Sequence, residues 1–230
     1  MGRVSAGIAH EIRNPLAAID QANALLAEDL VDPRAHQLAR MVASNVQRLK
    51  RIVDDVMEVA PGVAPAPVPV DAVQLVRECC QEWLRTNQLA DGGELQQWLP
   101  AQTLLVSFEP EHMRRVLINL LDNALRHAPR GLHSVQVRLQ APSDGWAVLS
   151  VFSEGEPIPA DIERHLFEPF FSTRSRGSGL GLYICRELCE RYGGRIEYRS
   201  ARDRQPAGNE FRVMLRRMPR AGNEAGTVKT

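Results

Sequence analysis

His10 and Glu11 are adjacent in this sequence, and Asn14 follows one helical turn later. His10 lies two residues from both Ile8 and Ile12, so on a helix with those apolar positions in its seam the imidazole faces away from it. An exposed imidazole can act as a nucleophile or a phosphoryl acceptor. Glu11, about 100° further round such a helix, is placed to orient or deprotonate it. Asn14, on the same side as His10, could position a water against a group carried on the ring. Pro15 removes a helix hydrogen bond and bends the helix just past the histidine. The same residues also suit an ordinary surface histidine on a coiled coil. A zinc-protease site is excluded, because the second histidine of an HExxH pair is Asn14 here.

Two further groups could handle phosphates. Asn119, Asn123 and Arg126 fall at i, i+4 and i+7, so they share one helix face. Two amides and a cation in a row suit a hydrated magnesium ion that carries phosphates, or else form a solvated polar face. Gly177, Gly179 and Gly181 lead into a helical stretch. Glycines let backbone approach phosphates, and a helix N-terminus offers free N–H groups. No GK[ST] follows, which excludes a P-loop, and no βαβ unit frames the run, which argues against a dinucleotide fold.

The elements that must position these groups are legible. Apolar residues recur at helical steps at Ile8, Ile12, Leu16, Ile19, Leu26 and Leu30. Asp32-Pro33 breaks that helix and starts another, which carries Leu38, Val42, Val46, Leu49, Val53 and Val56. Residues 1–60 therefore read as an antiparallel helical hairpin, which buries too little core alone and calls for dimerisation into a four-helix bundle. Residues 61–70, PGVAPAPVPV, read as a semi-extended linker. Residues 71–217 mix helices near 71–87, 111–127 and 180–192 with strands near 95–108, 134–140, 146–152, 195–200 and 210–216, an α+β domain. The stretch 153–181 reads as irregular, and 218–230 as a frayed polar tail.

Composition narrows the function. The chain has 230 residues, with 28 Lys+Arg against 28 Asp+Glu. Zero net charge argues against bulk capture of nucleic acid or an anionic membrane. No apolar run approaches the roughly 18–20 residues of a membrane span, and no signal peptide stands at the start. Four cysteines without CxxC spacing suggest a reduced, cytoplasmic compartment. Cys185 and Cys189 read as buried packing thiols, with a redox-sensing pair as the alternative. Cys79 and Cys80 read as half-buried, and Trp83, Trp98 and Trp146 as packing residues.

The full order is more specific than any one motif: AHEIRNPL on a hairpin, a Pro-rich linker, NLLDNA, EPFFST, then GSGLGL. In this the chain, over about residues 4–217, resembles a two-component sensor histidine kinase, with a GHKL-type α/β sandwich ATP-binding domain after the hairpin. It looks most like the branch of nitrogen-regulation and type IV pilus sensors. The resemblance implies ATP and Mg2+ as cofactors, a homodimer, and a response-regulator receiver domain as partner. It gives His10 the role of phosphoryl acceptor, Glu11 that of general base, and Asn14 a role in orienting water for dephosphorylation of the regulator. It makes Asn123 the main magnesium ligand, supported by Asn119, and sets Arg126 and His127 near the phosphates. Glu168-Pro-Phe-Phe171 becomes the aromatic motif of an ATP lid. Phe170, Thr173, Arg174, Arg176, Gly177, Gly179, Leu180 and Gly181 then line the nucleotide site. Sensory or membrane segments are expected upstream, with no membrane contact in this part of the protein and no nucleic-acid partner.

One segment departs from the family. Where a D-x-G-x-G-I-P motif is usual, this chain reads Ser153-Glu154-Gly155-Glu156-Pro157-Ile158-Pro159. Gly155, Ile158 and Pro159 match. Ser153 replaces the aspartate that accepts the adenine amino group, and Pro157 replaces the second glycine. A bridging water is expected at Ser153. Loss of one charged hydrogen bond costs about 1.5–3 kcal/mol, or roughly 10- to 150-fold in affinity. Pro157 forces a rebuilt loop, and Glu154 or Glu156 could stand in for the aspartate after a shift. The alternative to an active kinase is an ATP-impaired relative that acts as a phosphatase or dimeric scaffold.

Overall fold

The computed structural model describes residues 2–59, 65–89, 93, 95–129, 133–143, 145–172 and 178–219, without the side chains of residues 2–10, 58 and 59. The chain divides into two compact units, one formed by Met1–Ala64 with Glu168–Ile184 and the other by Pro65–Phe167 with Cys185–Thr230.

The first unit contains the hairpin. Helix α1 spans Gly2–Asp29 with Pro15 inside it, and α2 spans Pro33–Val59. The Asp32 carboxylate accepts the N–H groups of Arg34 and Ala35, both at 3.2 Å, and Pro33 fills a first-turn position where no N–H is needed. Leu16, Ala39 and Val46 are buried between the helices. Polar contacts fix their register: Asn23 Nδ2 donates to the Ala39 carbonyl at 2.9 Å, Gln47 and Lys50 both reach Asp20, and Arg13 pairs with Asp54. The expected apolar seam is only partly closed within one chain. Ile12, Ile19 and Leu26 on α1 and Val42, Leu49 and Val56 on α2 remain exposed. Each set repeats every seven residues, the spacing of a helix face that packs against further helices.

The second unit is α+β. Strand β1 (Val68–Asp71) pairs antiparallel with β3 (Leu105–Phe108). The last residues of the Pro-rich segment are thus a strand, since an edge position tolerates Pro69. Asp71 then caps α3 (Ala72–Thr86), its carboxylate accepting the N–H groups of Val73 and Gln74. Helix α4 (Pro110–His127) is capped by Glu109, which accepts from His112 N at 2.6 Å. The main sheet runs β2 (Leu95–Trp98), β4 (Val135–Ser143), β5 (Trp146–Glu154), β7 (Gly208–Arg216), β6 (Arg195–Ala201), with β2 parallel to β4 and the other pairs antiparallel. One face aligns Val137, Val151, Phe211 and Tyr198, then Leu139, Leu149, Val213 and Ile196, row by row. Buried residues of α3 and α4, among them Val76, Leu117, Leu120 and Leu121, complete the core.

Several expectations change. The stretch 153–181 includes a short helix, α5 (Ala160–Glu163). Cys79 and Cys80 are both buried, because α3 is covered on more than one side. Trp83 packs in the core with its indole N–H on Asp122 at 2.8 Å, but Trp98 and Trp146 do not. Trp98 lies under the Arg138 guanidinium, and Trp146 meets those of Arg195 and Arg216. These are partly solvated cation–π contacts rather than core packing. Met218 remains tied to the domain, its N–H donating to the Leu105 carbonyl at 2.9 Å.

Candidate nucleotide site

The polar face of α4 survives in the structure. Asn119 and Asn123 are half-buried one turn apart, while Arg126 and His127 are exposed at the helix end. Arg126 Nε donates to the Asp122 carbonyl at 2.8 Å, so its guanidinium stays beside the last turn. Asn119 also hydrogen-bonds the Cys185 thiol, whose burial pushes its pKa up to about 12. Cys185 and Cys189 are fully buried, in accord with a packing role.

The end of α4 meets the segment that departs from the family. Gly155 has φ +144°, and a Cβ there would lie 3.5 Å from the His127 carbonyl oxygen. Its N–H donates to Ala207 O at 3.1 Å. The last residue of α4 thereby meets the Gly155 loop, although the two lie nearly thirty residues apart in sequence.

Ser153, two residues before Gly155, is only 4% exposed and lies directly opposite Asn209 in the β5–β7 register. Asn209 holds the rebuilt loop. Its Oδ1 accepts from Ile158 N at 2.9 Å and from the Tyr198 hydroxyl at 2.8 Å, and its Nδ2 donates to Glu156 O at 3.0 Å. Ile158 N–H also reaches the Tyr198 oxygen at 3.1 Å. Burial raises the Tyr198 pKa, which keeps the phenol neutral. Substitution of the missing aspartate by Glu154 or Glu156 is not realised. Strand alternation sends Glu154 to the face opposite Ser153, and Glu156 is exposed with its carbonyl fixed by Asn209. The sequence by itself does not mark Asn209 or Tyr198 as site residues. The available signal is phase: Leu215, Val213 and Phe211 alternate inward along β7, and Asn209 is the next inward position.

In the first unit, Gly179 has φ +69°, and an added Cβ would stand 2.5 Å from the Phe170 carbonyl carbon. Only glycine fits that approach. Phe170 itself has φ +64° and is exposed. Leu180 is buried, its N–H donates to Ser178 Oγ at 3.3 Å, and Gly181 opens helix α6 (Gly181–Arg191). Thr173, Arg174, Arg176 and Gly177 lie outside the described residues. His10 lies on the backbone of α1, its side chain outside the described set, and Glu11 and Asn14 are exposed on the same helix.

Comparison with known proteins decides the family. Residues 1–62 match the His Kinase A (phospho-acceptor) domain, and residues 108–219 match the histidine kinase-, DNA gyrase B- and HSP90-like ATPase family. The chain belongs to the two-component sensor histidine kinases. It is 35% identical over 217 residues to the sensor protein kinase PilS of Pseudomonas aeruginosa, covering 93% of this chain and 40% of that protein. It is 32% identical to the sensor histidine kinase ZraS of Escherichia coli K12, covering 94% of this chain and 45% of ZraS. The chain thus spans less than half the length of these relatives. Among solved structures, the mycobacterial sensor histidine kinase MprB aligns with TM-score 0.57 and 27% identity, over 66% of this chain and 99% of that one. Full-length ShkA in complex with AMPPNP aligns with TM-score 0.74 at 23% identity, over 96% of this chain and 47% of ShkA, a likeness of fold. No described helix of this kinase is long and apolar enough to cross a membrane.

Proposed function

We propose that this histidine kinase core transfers the γ-phosphoryl group of ATP to His10 and then to an aspartate on a response-regulator receiver domain. The observation that carries the proposal is the approach of the Gly155 loop to the His127 carbonyl at the end of α4, the helix whose last two turns carry Asn123, Arg126 and His127. It supports a nucleotide site that draws on both segments, the helix to which resemblance assigns the phosphates and the loop to which it assigns the base, in a domain matched to an ATPase family.

In the transfer, an imidazole nitrogen of His10 forms a bond to the γ-phosphorus as the bond to the ADP oxygen breaks. Glu11 takes the ring proton. Positioning and charge neutralisation carry such a reaction. Asn123, with Asn119 a turn earlier, would hold magnesium, which neutralises phosphate charge when bound. Among the described residues no cluster of three His, Cys, Asp or Glu forms a stand-alone metal site. Two neutral amides fit an ion whose remaining ligands are phosphate oxygens and water. Arg126 and His127 extend the same face toward the phosphates. Glycine at 179 keeps the backbone close at the start of α6.

The exposed heptad stripes of α1 and α2 support a homodimer joined as a four-helix bundle. Asn14 supports regulator dephosphorylation as a second activity of the same helix, by orienting water. The test is incubation with γ-labelled ATP and magnesium. Acid-labile label on the parent chain and none on His10→Gln is the expected result. Equal labelling of His10→Gln excludes His10 as acceptor. Binding of ADP without any labelling favours the phosphatase or scaffold role.

A further inference from the structure

The inward face of the sheet is apolar until one row. Ala147 with Leu215, Leu149 with Val213 and Val151 with Phe211 pair in succession, and the next pair is Ser153 with Asn209. Ser200 lies opposite Asn209 on the other side. Ser153 and Asn209 are both buried, at 4% and 7% exposure. Buried polar groups are costly unless they find partners. The Asn209 amide has its own: the Glu156 carbonyl, the Ile158 N–H and the Tyr198 hydroxyl. That commits Asn209 to the loop and fixes which end of its amide is oxygen. The group beside it that can still choose its role is the Ser153 hydroxyl.

We propose that this neutral Ser153–Asn209 row makes the base site purine-permissive, so that the kinase accepts guanine as well as adenine nucleotides; the proposal rests on the nucleotide reading above. Adenine carries an amino donor at the ring position where guanine carries a carbonyl acceptor. A carboxylate only accepts, so it favours adenine and opposes guanine, whereas a serine hydroxyl rotates to donate or accept. The pairing of Ser153 with Asn209 places no charge in this row. The loop beside it is held by Asn209 through backbone groups, independently of which base is bound. A site that hydrogen-bonds one partner rejects its mismatch strongly only when a buried group is left unpaired. A rotating hydroxyl leaves none at that ring position.

The experiment is calorimetric titration of the whole chain with ADP, GDP and CDP in magnesium. ADP and GDP are expected to bind within about tenfold of each other, and CDP about tenfold or more weaker than either, because its single ring leaves the row unfilled. ADP binding more than about tenfold tighter than GDP overturns the proposal and leaves the nucleotide reading standing. CDP binding as well as both purines also overturns it, since the base is then not recognised. No binding of any nucleotide overturns both readings. Ser153→Asp adds a second readout. It should weaken GDP about tenfold or more relative to ADP, and an unchanged ratio counts against Ser153 as the selecting group. Should that variant fail to fold, the parent chain's ADP-to-GDP ratio decides alone.

Discussion

The Tyr198 hydroxyl donates to Asn209 Oδ1 at 2.8 Å, and the same oxygen takes the Ile158 N–H. This pair lets the loop accommodate Pro157, which brings neither an N–H nor a positive φ. Glycine-like freedom is retained at Gly155, where φ is +144°.

Asn209→Ala removes partners from the Glu156 carbonyl and the Tyr198 hydroxyl together. Buried groups left unpaired cost about 1–3 kcal/mol. Tyr198→Phe removes one hydroxyl, and Ile158 N–H keeps Asn209, so the cost is about 1 kcal/mol. Urea midpoints should fall in the order parent, Tyr198→Phe, Asn209→Ala. Equal midpoints for parent and Asn209→Ala would remove Asn209 from the role of loop clamp.

Gly179→Ala puts a methyl into the Phe170 backbone and asks alanine to hold φ +69°. The left-handed conformation alone costs roughly 1–2 kcal/mol, so the segment must move. Nucleotide affinity should drop by about tenfold or more, while the thermal midpoint of the main sheet changes little. Calorimetry with ADP checks the first, and circular dichroism melting the second.

The hairpin stripes predict the oligomeric state. Ile19 and Leu49 are each 47% exposed in the single chain, apolar surface that a partner chain laid on both stripes would remove from water. Ile19→Glu together with Leu49→Glu should convert a dimer to a monomer in sedimentation velocity at micromolar concentration. A parent chain that is already monomeric at high concentration would contradict the bundle.

The four cysteines give a pH prediction. Burial raises Cys79 to about 11, Cys80 and Cys185 to about 12, and Cys189 well above its ordinary value of 9.0. In the unfolded chain these thiols ionise near that ordinary value, so above it the unfolded state has lost protons that the folded state retains. Stability from this source is full below about pH 9 and declines as pH rises toward 11–12. Native protein at pH 8 should leave all four thiols unreacted with a disulfide reagent over minutes, and urea should release four. Prompt reaction of one thiol in the native protein would refute its burial.

Much of this protein is set by local sequence. The three- and four-residue spacing of apolar positions and the stop at Asp32-Pro33 place α1, α2 and α4 without tertiary information, to within a residue or so at the start of α4. Fixed helical periodicity likewise puts Asn119, Asn123 and Arg126 on one face. Motif order carries the family, because each motif is short but their succession is specific. Tertiary structure decided the rest. Which apolar residues are covered depends on partners: Leu16 is buried and Ile19 is not, though both follow the same period. The fate of Ser153 and Pro157 depended on what stood across the sheet. Asn209 lies more than fifty residues away, and only the antiparallel register of β5 and β7 sets it beside Ser153. Side-chain alternation assigns a face within a strand, but pairing between strands is a long-range choice made by the packed core.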